Sequence, residues 1–555
     1  MGKSKIFYIV ITAAFLSSCG LENMASKYET VSLNTTPKTL ETHAGEIAIS
    51  LDASFPQNYF AKKATVDFTP VLVYNGGETA FKTITVQGEE ATGGATTIFN
   101  ATGGSFKYQD VISFSDEMQN STLELRATAK IKDKQKILGP KNIANGVITT
   151  SKRVQNNEDL ANKNHGYEHE TILEETATIY FLVNQSNIRT TEKSKDDVKK
   201  LKEFAKNDYK THSIEIISYA SPEGTVDAND NISENRMKST RKYTKSLLRS
   251  LKVDGAKNDE LYTETSVGED WKGFEKLVRN SKIKDKRRIN NIVNSIQDVD
   301  VREQQIRDLA ETYDAIENDV LPQLRKATIV IRSYEPKKTD EEIATLSTTS
   351  PETLDVNELL FSATLTKNEM TQISIYNKVV ELFNDWRGYN NIACIYLDKG
   401  DLKQSKIFLE KSAQLAKNKK NDILINQGII AARTGDLKTA QKLYNQGNAS
   451  EKNQAILNIR KGEYEKAARF FKNKKSHNAA LAQLMNGINT ANCNEKTAAC
   501  HYLNAISAAR SNKNDNAIVN LKKAINADAS YKNEATKDLE FINLRSNETF
   551  IALTR

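Results

Sequence analysis

The sequence predicts a multidomain α+β protein in three blocks. Three patterns carry that prediction: period-two runs of β-branched residues over residues 37–160, alternating strands and helices over 172–335, and a repeated helical-hairpin pattern over 353–555. At roughly 100–200 residues per domain, a 555-residue chain has room for several cores. Charged residues make up 27% and hydrophobic ones 38%, which excludes both a multispanning membrane protein and a wholly disordered chain. The formal net charge of +7 arises from 78 basic and 71 acidic residues that are interleaved, with no block of Lys and Arg of the kind that grips nucleic acid. Four cysteines, Cys19, Cys394, Cys493 and Cys500, are too few for a disulfide-stapled fold or a multi-cysteine metal site.

The N-terminus reads as a targeting signal. Lys3 and Lys5 precede an apolar run over residues 6–16, too short to span a bilayer and suited to a signal-peptide core over residues 1–18. It ends in Leu16-Ser17-Ser18-Cys19, which resembles a bacterial lipobox. The resemblance implies cleavage before Cys19 and lipidation of its thiol, followed by a polar, lipidated tether over 19–36. Each buried CH₂ adds ~0.8 kcal/mol, so several acyl chains would anchor the protein lastingly. Gly20 and Leu21 lack the Asp of inner-membrane retention in enterobacterial lipoproteins, and no acidic surface-export pair of the Bacteroidota follows. The resemblance therefore implies the periplasmic face of the outer membrane.

In the first block, alternating runs at 46–51, 64–74, 81–86 and 121–129 are separated by Asn75-Gly76-Gly77 and Gly93-Gly94. This predicts short antiparallel strands in a β-sandwich-like domain over 37–160. A docking module and a spacer fit this block equally well, because it lacks convergent polar groups.

The second block reads strand 178–183, helix 195–205 with Val198, Leu201 and Phe204 on one face, strand 213–219, helix 233–251 and strand 261–265. A charged helical stretch over 271–324 then precedes a last strand at 328–331. Tyr219-Ala220-Ser221-Pro222-Glu223-Gly224, Asn229 and Ile232-Ser233-Glu234-Asn235-Arg236 resemble the signature loop and helix of the OmpA C-terminal domain, a peptidoglycan-binding fold. With Gly268-Glu269-Asp270-Trp271 and Leu321-Pro322-Gln323-Leu324-Arg325, the pattern resembles a variant in large Bacteroidota outer-membrane lipoproteins. The resemblance, covering 172–335, implies that the Arg236 guanidinium grips the carboxylate of a diaminopimelate side chain and that Asn229 holds backbone of the ligand or loop. Ser221 stands where the family has an Asp for the ligand ammonium, fifteen residues before Arg236. That removes a charge-assisted bond of ~1.5–3 kcal/mol, for which Glu223 or Asp227 could compensate.

A Lys-, Glu-, Ser- and Thr-rich linker is expected over 336–352, and a helical array over 353–555. Gly400-Asp401-Leu402, Gly435-Asp436-Leu437 and Gly462-Glu463-Tyr464 mark turns. Ser405, Ala440 and Ala467 follow each glycine by five residues, Leu409, Tyr444 and Phe471 by nine, and Ala393, Gly428 and Ala455 precede it by seven. Small residues where helices touch, with a large one a turn further on, resemble tetratricopeptide repeats, which implies a concave groove for a peptide or partner protein. Cys493 and Cys500 could form a local disulfide in an oxidising periplasm, but two unpaired core cysteines are the preferred reading. His165 and His169 could hold a metal with Glu168 or Glu170, but the segment lacks the HExxH order and is read as a charged junction.

With no phosphate loop, nucleophile elbow or supported Cys/His pair, the chain is expected to be a non-enzymatic outer-membrane lipoprotein without cofactors. It would link membrane, cell wall and a protein partner through its OmpA-like and repeat domains, without binding nucleic acid. The alternative is an accessory subunit of an outer-membrane secretion or assembly machine that binds no glycan.

Overall fold

The computed structural model describes residues 20–94, 96–162, 165–207, 209–418 and 420–555. The expected signal segment and Cys19 lie outside them. The chain divides into two compact units. One joins the described part of the first 164 residues to Asn368–Arg555, and the other is His165–Lys367.

Among the described residues of the first unit, ten strands follow one another: β1 Ser32–Thr36, β2 Thr39–His43, β3 Glu46–Phe55, β4 Thr65–Tyr74, β5 Gly77–Ala80, β6 Ile84–Gly88, β7 Thr96–Ile98, β8 Gly104–Ser113, β9 Ser121–Ile131 and β10 Lys134–Ile148. Alternation puts Ile47, Ile49, Leu51, Ala53 and Phe55 of β3 inside. The rings of Phe55, Phe68 and Phe106, from β3, β4 and β8, meet at 5.4–5.9 Å between centroids. The expected sandwich is joined along one edge. Thr39–Glu41 of β2 pair in parallel with β10 while Thr42 and His43 pair with β3, so the strands form one continuous sheet.

The tether expected over 19–36 is folded from residue 20 onward. Residues 20–26 are helical, and Leu21, Met24, Tyr28 and Val31 enter the core of the β-domain. Their three- and four-residue spacing carries one apolar face from the helix through the following 3-10 turn to the extended Val31, inside a segment whose average composition is polar.

The C-terminal part of this unit is helical. After Glu369–Phe383 come the pairs Trp386–Asp398 with Leu402–Leu415, Asn421–Arg433 with Leu437–Gly447, and Glu451–Arg460 with Tyr464–Phe470; His477–Met485, then Ala498–Arg510 with Asn514–Ala527, continue the series. Ser405, Ala440 and Ala467 are wholly buried at the helix contacts. A Cβ on Gly428 would lie 2.5 Å from the Tyr444 ring, which is why glycine stands at that small position. Gly400, Gly435 and Gly462 end the first helix of the first three pairs and Gly487 follows His477–Met485, with φ between +73° and +89°; Asn512 takes that place after Ala498–Arg510 with φ +56°. Cys493 and Cys500 are bonded, contrary to the preferred expectation; their Cα atoms are 5.6 Å apart, within disulfide reach.

The second unit carries β11 Ile172–Tyr180, β12 Thr211–Ala220, β13 Tyr262–Glu269 and β14 Lys326–Tyr334, in the order β11-β14-β12-β13. Among the described residues of this unit, β12 and β13 are the pair that runs parallel, joined through helix Val226–Ser250. The charged stretch after β13 forms short helices with their own core around Phe274, Val278, Ile289, Ile306 and Leu324. The linker expected over 336–352 contains helix Asp340–Thr349, started by a capping box between Thr339 and Glu342. The unit continues through helix Val356–Ser362, so the array begins at Glu369 rather than at 353. Tyr167 stacks on Phe361 of that helix at 4.6 Å, and the His165 and His169 rings contact it from other sides.

Candidate functional site

The first helices of the hairpins present a row of asparagines, and an extended segment of the same chain lies along it. Residues 153–160 form no helix or strand, so their backbone groups need other partners. Asn478 Nδ2 donates to the Gln155 carbonyl (3.0 Å) while its Oδ1 accepts from Gln155 N–H (2.8 Å). Asn453 does the same for Asp159 (3.0 and 2.6 Å), and Asn426 for Ala161 (3.1 and 3.0 Å). Asn390 adds a second donor to the Ala161 carbonyl (2.7 Å), and His477 Nε2–H donates to the Arg153 carbonyl (2.8 Å). The residues held by the asparagines and His477 are 153, 155, 159 and 161, all of one parity, as an extended chain showing one edge requires, while Arg433 Nη2 reaches the Asn156 carbonyl (3.2 Å).

Between these backbone clamps sits Glu158, its side chain wholly buried. Arg433 Nη2 and Nε donate to its Oε2 (2.7 and 3.2 Å), and Arg460 Nη2 lies 3.5 Å from Oε1. Burial holds the Arg460 pKa below its ordinary value. Leu160 packs with the cluster of Leu397, Ile429 and Tyr444, and Val154 with the one around Leu481 and Ile506. At the β-domain end, Arg153 pairs with Glu534 (2.7 Å) and Asp538 (3.0 Å), and Arg510 bonds both Glu41 and Glu540. The concave groove expected for a partner is thus occupied by the chain's own strap.

Residues 387–419 match the tetratricopeptide repeat family model. Among solved structures, the chain is similar to YrrB, described as a TPR protein with an unusual peptide-binding site. That likeness has 17% identity, covers 36% of this chain and 100% of the other, and has a TM-score of 0.21. No curated protein matches the sequence. The C-terminal region therefore contains a tetratricopeptide repeat, and such repeats suggest protein–protein interaction.

The asparagine row was missed from sequence, although a signal exists. Asn426, Asn453 and Asn478 each stand nine residues before a turn glycine, Gly435, Gly462 and Gly487. The corresponding residue of the first repeat, Asn391, bonds Tyr376 instead, and its neighbour Asn390 reaches the strap.

In the second unit, Ser221, Asn229 and Arg236 come together around the loop between β12 and helix Val226–Ser250. Arg236 is 2% exposed. Its three nitrogens donate to the carbonyls of Gln185 (3.1 Å), Tyr219 (3.0 Å) and Leu182 (3.2 Å), which engage one N–H on each nitrogen of its fork. Burial, with Arg325 nearby, lowers its pKa to about 10. Ser221 Oγ donates to Glu223 Oε1 (2.7 Å), and Arg325 grips the same carboxylate through Nε (2.8 Å) and Nη2 (3.0 Å). Glu223 is therefore already paired, and Asp227 begins the helix exposed. Asn229 Nδ2 donates to Glu269 Oε1, whose other oxygen accepts from Trp271 Nε1, both at 2.8 Å. Glu303 lies beside them, paired with Arg307 at 3.0 Å; burial, reinforced by Glu269, raises its pKa to about 7. Arg325, Glu269 and Glu303 complete this polar cluster and were not singled out as site residues from the sequence.

Proposed function

We propose that this protein is a lipid-anchored envelope component acting through protein–protein contacts, an accessory or scaffold subunit whose OmpA-like domain serves as structure rather than as a glycan receptor. The observation that carries this reading is Arg236. The guanidinium meant for a ligand carboxylate already donates from each of its three nitrogens to a backbone carbonyl, and displacing those carbonyls would strand buried polar groups at ~1–3 kcal/mol each. Ser221 in place of the family's acid, and Glu223 already held by Arg325, point the same way. The tetratricopeptide repeat supplies the interaction module. Cys19 would be the acylated residue and the periplasmic face of the outer membrane its location.

Two measurements test the proposal on the mature protein. An alkyne fatty acid should label the wild type and not Cys19→Ala; equal labelling removes the anchor. Sedimentation with diaminopimelate-type peptidoglycan should stay at background for the wild type and for Ser221→Asp, while purification from membranes recovers partner proteins. Sedimentation that depends on Asn229 and Arg236 would instead establish the wall-linking reading.

A further inference from the structure

The strap is held mainly by its backbone. Asn426, Asn453 and Asn478 each close two hydrogen bonds on a single residue, a contact that any extended residue other than proline can make. Side chains contribute as well, with Arg153 on Glu534 and Asp538 at one end and Asp159 on Ser450 and Lys452; the selective centre is the buried carboxylate between Arg433 and Arg460, with an aliphatic group two residues further on against Leu397 and Ile429. A surface that reads an extended backbone, one carboxylate and one aliphatic side chain is a peptide receptor, and here its ligand is tethered. A tethered ligand acts at an effective concentration on the order of millimolar, so it excludes free competitors without any change in the groove.

We propose that residues 153–161 act as a cis inhibitor of the groove. The partner that displaces them presents an extended segment with a carboxylate in the register of Glu158 and an aliphatic side chain in that of Leu160. This rests on the reading of the array as an interaction module and gives its partner a chemistry. Cys394, the free cysteine among the described residues, lies beneath the strap. Its Sγ is 3.7 Å from the Ala161 carbonyl oxygen and 3.1 Å from Asn426 Nδ2, and it is 1% exposed.

The test titrates a fluorescein-labelled nonapeptide of sequence 153–161 into the full chain and into Glu158→Ala/Asp159→Pro, which weakens the strap and leaves the groove side chains unchanged. The strap-weakened chain should bind at least about tenfold tighter than wild type. Replacing the peptide's glutamate by glutamine should cost about tenfold, and adding Asn453→Ala to the strap-weakened chain should abolish binding. Equal binding by both chains, or binding that survives Asn453→Ala, overturns the proposal. Absence of cellular partners despite that competition would count against the interaction reading alone. If the substituted chain does not fold, the wild type decides. Alkylation of Cys394 by iodoacetamide, read by mass spectrometry of its peptide, should proceed through local opening with much weaker denaturant dependence than global unfolding. Equal dependence overturns the proposal.

Discussion

The groove and the Arg236 loop are both filled by the chain itself, and the two fillings differ in kind. The strap reaches its asparagines across 229 to 323 residues of sequence and belongs to no helix or sheet. The carbonyls on Arg236 come from Leu182 and Gln185, just beyond β11, and from Tyr219 in β12 itself. On the proposal above, undocking the strap uncovers a groove, whereas freeing Arg236 means dismantling the end of a sheet. On the readings proposed above, self-occupation is a switch at the groove and a closure at the Arg236 loop.

The comparison can be broken most forcefully at Glu158. Glu158→Ala leaves Arg433 and Arg460 buried without their counter-charge and should cost about 3–5 kcal/mol, confined to the first unit. The chain has two tryptophans, Trp386 in the first unit and Trp271 in the second, so single-tryptophan variants report each unfolding separately. A loss reported equally by Trp271 would contradict the separation. Next, Arg236→Met should lower the stability of the second unit by about 2–3 kcal/mol, since three carbonyls lose their donor, with no change at Trp386. If it instead leaves stability unchanged, the fork is available to a ligand after all.

The smallest effect is a pair of pH dependences of opposite sign. In the second unit Glu303, raised from 4.5 to about 7, binds its proton more tightly when folded. Stability there should fall as pH rises from 4.5 through 7, and Glu303→Gln should flatten the slope. In the first unit His477 is held below its ordinary value of 6.5, chiefly by burial and despite the raising influence of its bond to the Arg153 carbonyl and of Glu495. Its folded form excludes the proton, so stability should fall as pH drops below 6.5. Denaturation midpoints between pH 5 and 8 that move in the same direction at both tryptophans would refute this contrast.

Much of the architecture was legible because it rests on local patterns. Period two marked β3, β4 and β9, and the glycine turns marked three hairpins whose buried alanines lie where expected. The failures were also physical. Residues 21–31 were averaged as polar although Leu21, Met24, Tyr28 and Val31 share one face. Thr339 and Glu342 form a capping box inside what composition suggested was a linker. The groove's occupant was invisible because nothing local marks it: residues 153–161 have no periodicity, and their partners lie hundreds of positions away. Arg236 and Asn229 were singled out by motif, but the carbonyls that engage the guanidinium belong to the backbone, about which side-chain patterns are silent.

The long sequence separation of the strap from its asparagines sets an order of assembly. As the chain emerges from the N-terminus, the β-domain can close its core with β10, but residues 153–161 have no clamp until Asn390 to Asn478 follow more than two hundred residues later. The whole of His165–Lys367 is made in the interval. Because closing so large a loop is entropically slow, strap docking should be a late event in folding, and the strap and groove stay open to other chains until it happens.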